Sequence, residues 1–141
     1  MDIFKELHKE HVEVAGLIAR LDKEGRDEKT FETLRTQLIA HSKAEEQVFY
    51  KRLETEESVR DTVLEGYEEH KVVVKLLADM AKITEDEEKF VAKLAVLKES
   101  VEHHVKEEEG TLFKGARPLL ADGEPEALYE EFEAAKSKLE G

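Results

Sequence analysis

Six histidines and no cysteine occur among 141 residues, 35 of which are acidic. Without thiols, the chain cannot build a disulfide scaffold, a thiolate zinc site, a cysteine-ligated iron–sulfur cluster or a thiol nucleophile. Metal or acid–base chemistry must then come from imidazole and carboxylate, and four of the histidines are spaced to supply it. His41 is followed by Glu45 and His104 by Glu108. That is one helical turn in each case, placing the Cβ atoms roughly 5–6 Å apart on one face. The halves of the chain also echo each other: Glu10-His11 returns as Glu69-His70, and His41-x-x-x-Glu45-Glu46 returns as His104-x-x-x-Glu108-Glu109.

These residues need long, breaker-poor elements to position them, and the chain provides such elements. There are seven Gly and two Pro, both prolines late, and the apolar residues recur at helical spacing. Turn signals near Gly25, over 54–58 and over 84–87, where Thr84-x-x-Glu87 resembles a capping box, predict helices over about 2–23, 28–52, 58–83 and 86–113. A loop with Gly115, Pro118, Asp122 and Gly123 is expected next. A fifth helix is expected over about 124–139, with Pro125 in its first turn and a stripe of Leu128, Phe132, Ala135 and Leu139 that should lie on the bundle or on a partner.

The expected core seams alternate steps of three and four. They are Ile3, Leu7, His11, Val14, Ile18 and Leu21; Phe31, Leu34, Leu38, His41, Glu45 and Val48; Val63, Gly66, His70, Val73, Leu77 and Met80; and Phe90, Leu94, Leu97, Val101, His104, Glu108 and Thr111. This is the pattern of an all-α, antiparallel, up-down-up-down four-helix bundle, with the short fifth helix completing a single domain over 1–141. Each seam is interrupted by one His, and the second and fourth also by a Glu.

A carboxylate in an apolar seam costs several kcal/mol unless it is compensated or gives up its charge. Two such glutamates on neighbouring helices also repel each other. Divalent cations among four neutral imidazoles and two carboxylates remove both penalties. Nitrogen and oxygen donors without sulfur suit iron, manganese or zinc, and two bridging carboxylates at a bundle axis suit a di-iron type of site. A lone buried His is more often structural, but four at matching positions make His11, His41, Glu45, His70, His104 and Glu108 the expected metal ligands. His8 and His103 fall off the seams, where solvated or supporting roles are expected. Tyr67, one turn before His70, reads as packing, and acidic runs such as 85–88 and 107–109 read mostly as solvated faces.

With their order along the four seams, Glu10-His11, His41-x-x-x-Glu45-Glu46, Glu69-His70 and His104-x-x-x-Glu108-Glu109 resemble the hemerythrin-like HHE cation-binding domains over about residues 3–113. The resemblance implies a non-haem centre of two iron ions, oxo- or hydroxo-bridged. His11 and His41 would serve one ion, His70 and His104 the other, with Glu45 and Glu108 bridging. It also implies a protein that binds or senses O2, a related diatomic or iron; a di-iron enzyme acting on O2, peroxide or nitric oxide is the alternative. The oxygen-carrying members have a second His four residues after the first on the third helix. Val74 stands there in this chain, and Ala15 stands at the equivalent place on the first helix. Unless His8, His103, Glu69 or Glu107 substitutes, both ions would keep open positions, which weighs against simple oxygen carriage.

The formal net charge of −13 argues against nucleic acid and anionic membranes as partners, since both require a basic face. The start Met1-Asp2-Ile3-Phe4-Lys5-Glu6 lacks the pattern of a signal peptide, and no run nears the roughly 20 apolar residues of a membrane helix, so a cytoplasmic location is expected. Ligating imidazoles must be neutral, so metal affinity should fall below about pH 6.

Overall fold

A computed structural model of the chain describes residues 1–140, and among these it contains helices and no strand. Helix α1 spans Ile3–Glu24. Helix α2 begins as Glu28–Glu45, passes through a π-helical turn Glu46–Tyr50 and ends with Lys51–Leu53. Helix α3 is Arg60–Ala81. Helix α4 runs over Glu87–Glu107, a second π turn Glu108–Leu112 and Phe113–Ala116, then tightens into a 3-10 turn at Arg117–Leu119. Helix α5 is Glu124–Glu140.

The first four helices form the expected antiparallel bundle, with α1 against α2 and α4, and α3 against α4. Aspartates start three of them: Asp2, Asp27 and Asp86 each accept from the backbone N–H three residues on, at 2.9, 3.1 and 2.9 Å. The cap of α4 is therefore Asp86 and not Thr84, because a carboxylate satisfies the free N–H groups and also favours the positive end of the helix dipole. Gly25, at φ 87°, closes α1 in a conformation that suits glycine, its N–H bonded to the Leu21 carbonyl.

The structure departs from two further sequence expectations. The fourth helix does not stop near 113. Gly115 lies inside it because the Val59 side chain occupies the space where a Cβ would sit, and the loop shrinks to the residues just before α5. The seams also shift after the two glutamates: Val48 is only half-buried and Thr111 is exposed, whereas Phe49, Tyr50, Leu112 and Phe113 fill the core. The π turns are the reason, since each adds a residue to its turn and rotates the later residues around the helix.

Apolar clusters lie on either side of the His/Glu layer. One is built around Ile3, Phe4, Phe49, Leu53, Phe113 and Phe132, the other around Leu21, Phe31, Leu34, Leu77, Met80 and Phe90. Helix α5 lies on the bundle, against α1 and α2. Phe132 is its buried anchor, and Arg52 holds its start through Glu124. Leu139, by contrast, is exposed. No helix among the described residues is long and apolar enough to cross a membrane.

Candidate metal centre

The bundle geometry carries all six residues expected as ligands into one buried layer, Glu45 at 0% exposure and His104, the most open, at 9%. The His11 and His41 rings lie 5.0 Å apart, and those of His70 and His104 4.8 Å apart. The Nε2 atoms face the two carboxylates. His11 is 3.3 Å from Glu108 Oε1 and His104 3.2 Å from Glu108 Oε2, while His70 is 3.2 Å and His41 3.7 Å from Glu45 Oε1. Two sets of donor atoms are close enough to surround an ion: Glu45, His70, His104 and Glu108, and His11, His41 and Glu108. Glu108 is common to both.

The opposite ring nitrogens are all occupied. His41 Nδ1 is 2.8 Å from Glu10, His70 Nδ1 2.8 Å from Glu46, His104 Nδ1 2.6 Å from Glu69 and His11 Nδ1 2.6 Å from Glu109. The four pairs close a ring: α1 supplies the carboxylate for the α2 histidine, α2 for α3, α3 for α4 and α4 for α1. Each carboxylate orients its imidazole, favours the tautomer with hydrogen on Nδ1 and leaves Nε2 free to bind an ion. Glu46 and Glu109 immediately follow the inward glutamates, at the π turns, so one segment of helix sends adjacent carboxyls to opposite nitrogens of one imidazole, Glu45 and Glu46 to His70 and Glu108 and Glu109 to His11. Lys136 of α5 also pairs with Glu10, which extends the frame to the fifth helix.

The hemerythrin HHE cation binding domain profile matches residues 2–116. The chain belongs to the hemerythrin HHE family. A Nostoc sp. protein named DNA nickase is 36% identical over 103 residues, which are 73% of this chain and 29% of that protein, so the chain spans under a third of that relative's length. No solved structure matches significantly.

Whether this HHE domain's residues fit a metal can be judged from its polar atoms. His11 Nε2, His41 Nε2, both Glu45 carboxyl oxygens and Glu108 Oε1 are buried without a hydrogen-bond partner. Buried polar groups are rarely left unpaired, and five converging on one layer fit a cation that would satisfy them together. Without a cation, the layer redistributes protons. Burial and the adjacent Glu108 raise the Glu45 carboxyl well above the carboxylate range. Burial acts on Glu108 in the same direction, yet contacts with Glu45, His104 and His11 prevail and hold it ionised, well below that range. Burial would lower His104, but Glu108 and Glu69 overcome this and raise it to about 10; His41 is lowered by its burial.

Of the four substitutes considered for open positions, three are placed by their contacts. His8 is exposed and pairs with Glu109 at 3.0 Å, His103 is exposed near Glu69, and Glu69 serves His104. Glu107 is in neither ion-sized set. Val74 and Ala15 do not face the layer's small cavity. Val73 and Val14, one residue earlier, line it with Leu38, Ser42, Val101 and Val105.

Two kinds of site residue escaped the sequence reading. One is the ring of outer carboxylates, including Glu109, which lies in an acidic run expected to be solvated. Its signal was the repeat itself, in which Glu10 and Glu69 precede a His and Glu46 and Glu109 follow an inward Glu. The other is Tyr50, fully buried beneath the layer, whose hydroxyl donates to Glu108 Oε2 at 2.7 Å. Burial and the two carboxylates raise its phenol well above the usual range, which keeps it protonated in the metal-free chain. Tyr67 packs edge-on against Tyr50 and bonds only Glu54, at 3.4 Å, in keeping with a packing role.

Proposed function

We propose that this chain forms a non-haem di-iron domain that binds or senses O2, a related diatomic molecule or iron, without turnover. The convergence of five unpaired buried donor atoms, backed by a closed ring of orienting carboxylates, carries this reading. In it, His11 and His41 hold one ion, His70 and His104 the other, and Glu45 and Glu108 lie between. When bound, the iron pair would supply redox-active coordination sites for a small ligand. The protein's part is to fix the imidazoles, hold their Nδ1 protons on carboxylates and keep the layer dry.

The cavity beside the histidines supports a small ligand. It measures about 20 Å³, enough for one water-sized or diatomic guest, and its remaining walls are largely valine and leucine. The nitrogen and oxygen donor set also admits zinc or manganese. The relative named DNA nickase is much longer than this chain. A net charge of −13 is unsuited to phosphate, so we assign no nucleic-acid or membrane contact to this domain.

The test is to load the chain with iron(II), reduce it and mix it with O2 while recording the visible spectrum. A stable adduct that reverses under vacuum is expected. Continuous consumption of O2 or added peroxide would instead make the protein an enzyme, and the absence of any spectral response would contradict the reading.

A further inference from the structure

The repeat that relates the two halves fails beside the His/Glu layer at Tyr50 and Gly66. Counting along the second and fourth helices, the counterpart of Tyr50 is Phe113; along the first and third, the counterpart of Gly66 is Leu7. Phe113 packs among Phe4 and Phe49, whereas Tyr50 stacks on the His70 ring at 5.2 Å with only 12° between the planes. Gly66 is what makes room for it. A Cβ there would come within 2.5 Å of Tyr50 Oη, so a residue unfavourable inside a helix is retained where the phenol meets α3.

The hydroxyl occupies a position suited to a ligand. Tyr50 Oη is 2.7 Å from Glu108 Oε2 and 3.4 Å from His104 Nε2, and those two atoms are 3.2 Å apart. Donors held about 2.0–2.2 Å from one ion are roughly 3 Å from each other, so this triangle has the edges of one face of a coordination shell. We propose that Tyr50 is a direct ligand, as phenolate, of the ion held by His70 and His104, and that the other ion has no such ligand. The proposal rests on the reading that the layer binds metal. On binding, the phenol O–H bond breaks, an oxygen lone pair forms the bond to the ion and the proton leaves to solvent; no electron is transferred. Oxygen donors of this kind suit iron(III) and zinc(II) alike.

The full chain is loaded with iron(II), oxidised in air and analysed for metal, with Tyr50→Phe and Tyr67→Phe in parallel. A tyrosinate-to-iron(III) band in the visible is expected in the wild type and Tyr67→Phe, and is lost in Tyr50→Phe. Excitation in that band should enhance tyrosine ring vibrations that shift when the protein is made with ring-deuterated tyrosine. This readout uses wild-type protein and holds even if Tyr50→Phe folds or loads poorly. Zinc(II), which is colourless, should give an ultraviolet difference spectrum of one deprotonated tyrosine, absent in Tyr50→Phe. Bound metal with neither signal, or signals that survive in Tyr50→Phe, would make Tyr50 a hydrogen-bond donor to Glu108 and overturn the proposal while leaving the metal reading intact. A wild-type chain that binds neither metal overturns both.

Discussion

The half of the centre built on His70 and His104 and the half built on His11 and His41 share a frame but not a chemistry. In both, each imidazole is held from behind by a glutamate of the preceding helix in the ring, and Glu108 reaches into each. The first half brings four expected ligands within reach of one ion and adds Tyr50; the second brings three and faces α5, whose Phe132 ring lies 6.1 Å from that of His41. The difference shows how a duplicated scaffold becomes asymmetric. The backbone and the outer carboxylates keep the repeat, and a tyrosine and the glycine that admits it distinguish the two halves of the layer.

The largest effect is expected at Glu108, the residue the two halves share. Glu108→Ala should remove metal from both halves, lowering affinity by more than the roughly 100-fold upper range for changes outside the ligand sphere. Equilibrium dialysis against iron(II) or zinc(II) measures this. An ion retained at full affinity would show that the halves do not share Glu108.

Proton occupancy also separates the two halves, because His104 is raised to about 10 whereas His41 is lowered. A histidine raised on folding contributes stability that is complete below its unfolded pKa, near 6.5, and is lost as pH rises through its folded value. Raised groups elsewhere in the layer, His11 and Glu45, act in the same direction above 6.5. The metal-free chain should therefore become less stable from pH 6.5 to 10, by at most about 1.4 kcal/mol per pH unit for each group titrating. The increment added by metal should grow over the same range as its competition with the His104 proton weakens. Melting curves in chelator and in metal check both trends, and a metal-free melting temperature that is flat or rises above pH 6.5 would contradict the assignment. Histidine chemistry alone gives a fall in affinity below about pH 6, and the raised His104 should extend that fall to higher pH.

The bundle, the four inward histidines and the two inward glutamates were legible because each lies in an unbroken 3.6-residue pattern, as in the run from Phe31 to Glu45. Legibility ended where the helical period changed. An α-helical count after Glu45 or Glu108 points to Val48 and Thr111, but the π turns bring in Phe49, Tyr50, Leu112 and Phe113. Tyr50, five residues after Glu45, could not be placed without that extra residue. The outer carboxylates were hidden for another reason: in a chain with 35 acidic residues, composition does not separate Glu69 or Glu109 from a solvated neighbour, and only the packing of one helix on the next does so.

Metal analysis of protein purified from iron-replete cells, wild type beside His41→Ala, tests the central claim most directly. Two inequivalent sites in one buried layer predict about two ions per chain in the wild type and about one in His41→Ala, retained in the half containing His70, His104 and Tyr50. Fewer than one ion per wild-type chain, unchanged by His41→Ala, would contradict it.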